Sequence, residues 1–159
     1  MTKARRILFL ALVCGAVIAT SAVRATPAGA KSDGRRVVDF AELAGFAYTP
    51  PPDGAVWPAD TLAGIPEAVR KLDGRRVSVS GFMLPVKMEA GRVKEFLILR
   101  NLMACCYGVP PAPNEWIVAR SRLGVEPVQD TVTNYAGVLR VGARREEGFF
   151  IGIYELELE

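Results

Sequence analysis

Histidine is absent from all 159 residues, and that one absence removes the Ser-His-Asp and Cys-His triads, the imidazole general base and every zinc site built on imidazole. A collagen-like period is missing as well. The 15 glycines and 11 prolines follow no G-x-y repeat, which sets aside the fibrous classes. What is present, 50% apolar and 23% charged residues, is the composition of one ordinary globular domain and not of a disordered chain. The side chains left for chemistry are carboxylates, lysines, tyrosines and three cysteines.

Residues 1–30 carry Lys3, Arg5 and Arg6, an apolar run from Ile7 to Ala19, and small residues ending in Ala28-Gly29-Ala30, the layout of a secretory signal peptide cleaved after Ala25 or Ala30. The apolar run is shorter than the roughly 20 residues a helix needs to cross a bilayer, so no permanent membrane span is expected. This assignment changes the charge. The whole chain has 20 basic and 17 acidic residues; loss of Lys3, Arg5, Arg6 and Arg24, with no acidic residue among 1–30, leaves 16 basic against 17 acidic. An exported, periplasmic or extracytoplasmic chain without excess positive charge is not expected to bind nucleic acid.

Residues 31–65 read as an extended N-terminal arm. The segment is rich in Pro and Gly, with one helical candidate around Asp39 to Phe46, and its Phe40, Leu43, Phe46, Tyr48 and Trp57 are too many apolar side chains for a free linker, so the arm is expected to pack on the domain. A short helix follows, with Pro66 at its start, Glu67 in its first turn and Gly74 at its stop. Beyond it the pattern turns to strands: Arg75 to Val86 with a bulge or bend at Gly81, Phe96 to Arg100, Glu115 to Arg120, Thr131 to Val141, and Phe149 to Leu158. The second and third of these are apolar on both faces. With no crossover helices between strands, the expectation for residues 66–159 is a mainly all-β domain, a small five-stranded antiparallel Greek-key barrel of the OB type with one short helix.

The unusual residues gather between the second and third strands, in Met103-Ala104-Cys105-Cys106-Tyr107-Gly108-Val109-Pro110-Pro111-Ala112-Pro113-Asn114-Glu115-Trp116. Pro110, Pro111 and Pro113 stiffen the connection, and Asn114 is suited to hydrogen-bond backbone as the chain enters the strand. After leader removal Cys105 and Cys106 are the only cysteines. They leave three readings: a structural pair or strained vicinal disulfide, a soft-metal site for zinc or copper completed by Met103, Met83 or a carboxylate, and a thiol-redox site. Without C-x-x-C or a histidine, nothing in the sequence lowers a thiol pKa. Glu155, Glu157 and Glu159 read as a solvated outer face, Arg144-Arg145-Glu146-Glu147 as a hairpin tip, and Trp116 and Tyr154 as core residues.

The string Leu72-Asp73-Gly74-Arg75-Arg76-Val77, Gly81-Phe82-Met83-Leu84-Pro85, Glu95 to Arg100, Cys105-Cys106-Tyr107-Gly108, Asn114-Glu115-Trp116 and Gly148 to Tyr154 resembles the bacterial family called domain of unknown function 3299, over about residues 36–159. The resemblance implies an exported OB-like barrel with no established activity, and an association of some members with membrane transport systems, including metal uptake. Members often carry a Cys-His pair where this chain has Cys106-Tyr107, which weakens any metal role carried over. The expected function is therefore a non-enzymatic binding or accessory module for a protein partner at the membrane or in the periplasm, with no required cofactor. Its contact residues are expected to be Cys105, Cys106, Tyr107, Pro110, Pro111, Asn114, Glu115 and Trp116.

Overall fold

Alternating apolar residues from Val77 onward, broken by Gly-containing turns, produce long hydrogen-bonded strands, and the computed structural model describes these in residues 34–52, 60–103 and 107–159. The order is β1 (Arg36–Val38), α1 (Phe40–Leu43), α2 (Glu67–Arg70), β2 (Arg75–Glu89), β3 (Arg92–Leu99), β4 (Trp116–Val125), β5 (Thr133–Glu146) and β6 (Phe149–Leu158). The protein is mainly β. Among the described residues its six strands form one mixed sheet in the order β1-β2-β3-β4-β6-β5, with a further pairing of β2 to β5.

Five antiparallel strands were the sequence expectation, and two findings correct it. First, β1 lies within residues assigned to the arm and runs parallel to β2, Arg36 to Val38 opposite Val77 to Val79; three residues are too few to show a period of two. Second, β4 and β6 pair in parallel, Val118 opposite Glu155 and Arg120 opposite Glu157. That neighbour relation depends on the β5–β6 hairpin folding back past β4, which no local pattern encodes.

Both short helices expected are present, α1 within the candidate at Asp39 to Phe46 and α2 after Pro66. Asp39 caps α1, its Oδ1 accepting from the Glu42 amide at 2.9 Å, and α2 starts after Pro66 with Arg70 donating from Nε to the Ile65 carbonyl at 2.6 Å. The exit of α2 is tied to β5: Gly74 donates to the Leu139 carbonyl at 2.8 Å, and Asp73 Oδ1 accepts from the Val141 amide at 2.9 Å.

β2 is long because it changes partner midway. Arg75 to Gly81 pair with β5, and Phe82 to Glu89 pair with β3. Gly81 sits at the changeover, where a Cβ would stand 2.5 Å from Ile98 Cγ2 and 2.8 Å from the Leu99 carbonyl oxygen. It permits a close approach of strands; the register irregularities lie further on, between Pro85 and Met88, where Pro85 has no amide to offer the ladder.

Phe96, Ile98, Ile117, Leu139, Ile153 and Leu156 are fully buried within one core cluster, which Val38, Phe40 and Leu43 of the N-terminal segment join. Two buried polar side chains fasten that segment. Tyr154 donates its hydroxyl to the Leu43 carbonyl at 2.8 Å, and Asn114 donates from Nδ2 to the Phe46 carbonyl at 2.5 Å. Burial pushes the Tyr154 hydroxyl pKa well above the ordinary tyrosine value, with the Glu42 charge adding to it.

Candidate functional site

The connection from β3 to β4 has a fastened base and an exposed head. At the base, the Glu115 amide donates to the Ala112 carbonyl at 2.8 Å, while its carboxylate accepts from the Ala112 amide at 3.0 Å and pairs with Arg100 at 3.0 Å. Asn114 is only 1% exposed. With its amide committed to Phe46, it serves the fold and is not free to meet a partner. Pro111 is half-buried, whereas Tyr107, Val109 and Pro110 are exposed, Tyr107 at 73%. Cys105 and Cys106, with Ala104, lie outside the described residues. Of the two methionines considered as metal ligands, Met83 packs in the core and Met103 is exposed. Among the described residues no group of three or more Cys, Asp or Glu is arranged to hold a metal ion.

Trp116 is not a core residue as expected. It stands opposite Leu99 at the start of β4, half-buried, and its Nε1 donates to the Ile151 carbonyl at 2.9 Å. The indole thus joins β4 to β6 ahead of the point where the parallel ladder begins at Val118. Its approach requires Gly152, where a Cβ would lie 2.8 Å from Nε1. The ring meets Phe150 edge-on at 6.5 Å between centroids, and Phe150 in turn stacks on Tyr48 at 6.2 Å, both within the span in which aromatic pairs attract.

Sequence reasoning missed the residues beside Trp116. Val86, Leu97, Trp116, Val118 and Ile151, with Glu95 at the edge, line an apolar groove of about 230 Å³. Leu84, Leu97 and Val118 stand in register across β2, β3 and β4, and next to them Phe96 and Ala119 point into the core. A sheet with one wet face alternates apolar and polar residues. The signal was present in the sequence, because strands apolar on both faces have a second apolar face to cover.

Beyond Ile151 the surface becomes a charged cleft of about 470 Å³ lined by Arg120, Arg144, Arg145, Glu146 and Glu155. Arg120 meets Glu95 at 3.0 Å, Glu146 at 2.7 Å and Glu155 at 3.7 Å, while Arg144 reaches Glu155 at 3.4 Å. Burial pulls the Arg120 pKa down, but the carboxylates of Glu95, Glu155 and Glu146 outweigh it and hold the guanidinium above its usual value. Glu155 is therefore covered, its side chain 13% exposed, and not the solvated residue its spacing suggests. Glu157 and Glu159 pair with Arg140 at 3.5 Å and Arg76 at 3.2 Å. Arg144 to Glu146 belong to β5 itself, so the hairpin tip is only Glu147-Gly148. No helix of the described residues is long and apolar enough to cross a membrane.

The model of a family of proteins of unknown function, DUF3299, matches residues 59–158. Among solved structures, the chain is similar to the crystal structure of a DUF3299 family protein from Pseudomonas aeruginosa PAO1, at 23% identity over 79% of this chain and 93% of that one, with a TM-score of 0.56. No curated protein matches the chain.

Proposed function

The chain belongs to the DUF3299 family, and from that premise we propose that it is an exported, non-catalytic binding module that holds a protein partner at the membrane or in the periplasm through the face around Trp116. The observation that carries this reading is the apolar groove left open on the outer side of β2, β3 and β4. An apolar patch retained on a monomer's surface costs solubility and marks a contact site. At about 230 Å³ the groove is smaller than the roughly 300–1,000 Å³ of small-molecule pockets. It suits one large apolar anchor side chain of a partner, whose burial contributes about 1.5–3 kcal/mol.

We assign the rim to the exposed residues Tyr107 to Pro110 of the connection that leads into Trp116. Prolines at 110, 111 and 113 and the sealed turn at Ala112 to Glu115 leave this connection little freedom to lose on binding. The scaffold we assign is an OB-like barrel of the five long strands with β1 added outside. The pairings that support it run from β2 through β3, β4, β6 and β5 and return to β2.

A photo-crosslinking side chain placed in turn at Val86, Tyr107, Val109 and Val132, all exposed, tests the reading in cells. The first three positions are expected to yield the same discrete protein adduct and Val132 none, and Leu97→Asp is expected to abolish the adduct without changing the melting temperature. Equal adducts at all four positions, or none, sink the proposal.

A further inference from the structure

A second surface lies where β2 turns into β3, and it differs from the groove in being cationic. Opposite β4, register passes from the pair Val93/Val125 directly to Glu95/Arg120, so Ser121 to Gly124 bulge outward against the single residue Lys94. The bulge is held by charge. Lys94 Nζ donates to the Arg122 carbonyl at 2.6 Å; Arg92 donates from Nε to the Leu123 carbonyl at 3.2 Å and from its terminal nitrogen to the Gly124 carbonyl at 2.8 Å, and binds Glu126 at 2.6 Å. Gly124 makes this possible, having φ +75° and no Cβ to strike Arg92 Cβ, 2.8 Å away.

The result is Leu123 at 84% exposure on a backbone that two cationic side chains hold in place. Met88, across from Val93 in register, is also exposed, at 52%. Residues 86–94 and 121–126 contain Lys87, Arg92, Lys94 and Arg122 against Glu89 and Glu126; Lys87 pairs with Glu89 at 3.2 Å and Arg92 with Glu126 at 2.6 Å, so the positive excess rests on Lys94 and Arg122. A single exposed leucine is ordinary; one presented on a fixed bulge next to Arg122 in a segment of net positive charge is the layout of a peripheral membrane contact, an apolar residue entering the headgroup region while a basic one meets anionic phosphates.

We propose that this tip docks reversibly on an anionic phospholipid surface through Leu123 and Met88, with Arg122 facing the lipid phosphates while Arg92 and Lys94 hold the bulge that presents Leu123. The proposal goes beyond the groove around Trp116 and stands without it. Protein in the form recovered from cells is sedimented with vesicles of phosphatidylglycerol and phosphatidylethanolamine, and separately with phosphatidylcholine vesicles, over a range of salt. Expected are binding to the anionic vesicles that falls as salt rises, a loss of at least tenfold in Leu123→Asp and of about fivefold in Arg122→Gln, with melting temperatures unchanged. Leu97→Asp, which disables the groove, is expected to bind vesicles normally, so failure of the two readings can be told apart. Equal binding to neutral vesicles, full binding by Leu123→Asp, or no sedimentation with anionic vesicles overturns the proposal; the last result would point to a protein on this surface.

Discussion

The connection before β4 and the bulge within it both present exposed apolar side chains, Tyr107 and Val109 in one, Leu123 in the other, yet they are held by different side chains. The connection rests on two part-buried neutral bonds, Asn114 to the Phe46 carbonyl and Trp116 to the Ile151 carbonyl, with the Glu115 carboxylate and its Arg100 partner closing the turn at its base. The bulge rests on Arg92 and Lys94 near solvent. Charge at the connection is confined to its base, and the head from Tyr107 to Pro110 is uncharged, which suits an apolar partner; anchoring by cations leaves charge beside the exposed leucine. The difference also sets the cost of disruption: an acceptor stranded in the core loses all hydration, and one at the surface is rescued by water.

The largest effect expected from this contrast belongs to Asn114→Leu, which strands the Phe46 carbonyl and loosens the segment after α1. Stability falls by about 1–3 kcal/mol, measured by denaturant unfolding, and a loss below about 0.5 kcal/mol would show that the connection is not anchored there. Tyr154→Phe comes next, at about 1 kcal/mol, and carries a pH signature. Because burial raises the folded-state pKa of Tyr154 above the ordinary 10.0, the unfolded chain gives up this proton first. The contribution is complete below pH 10 and is lost as pH climbs from there toward the folded value. The wild-type protein should thus lose stability above pH 10 more steeply than Tyr154→Phe; the slope shrinks without vanishing, since burial also raises Tyr48 and Tyr135. Identical slopes would remove Tyr154 from the linkage.

Trp116→Phe keeps most of the apolar surface but gives up the indole bond to Ile151. A loss of about 1 kcal/mol is expected, with faster amide exchange where β6 leaves the parallel ladder. The smallest global effect belongs to Arg92→Met, under about 0.5 kcal/mol, because water replaces the guanidinium at the exposed carbonyls. Its mark is local: amides of 121–125 exchange faster while those of Ile117 to Ala119 do not change. A large global loss would mean the two regions are fastened alike.

Much of this was legible from local pattern. The helix start at Pro66-Glu67, the start of β2 at Arg75 and both ends of β6 follow from period and turn chemistry, whereas β3 begins at Arg92, four residues before the expected Phe96. The concentration of unusual residues before β4 was also visible, though not the division within it, since proline spacing says nothing about Asn114 reaching Phe46 68 residues away. β5 extends to Glu146, past the expected Val141, because pairing with β6 extends a strand through polar residues that periodicity assigns to a loop. Trp116 was misplaced for a related reason: its half-buried position on the outer face comes from Ile151 and Gly152, which are far off in sequence.

The amino-acid sequence by itself determined a mainly β chain and its family, since apolar alternation, turn residues and motif strings are local and need no partner to be recognised. Only the tertiary structure decided which strands are neighbours, that β1 joins the sheet, that β4 and β6 run parallel, and that one outer face keeps an apolar groove while Leu123 stands among cations. Those outcomes depend on pairing between distant segments, where a shift of one residue exchanges the buried and exposed faces of a strand.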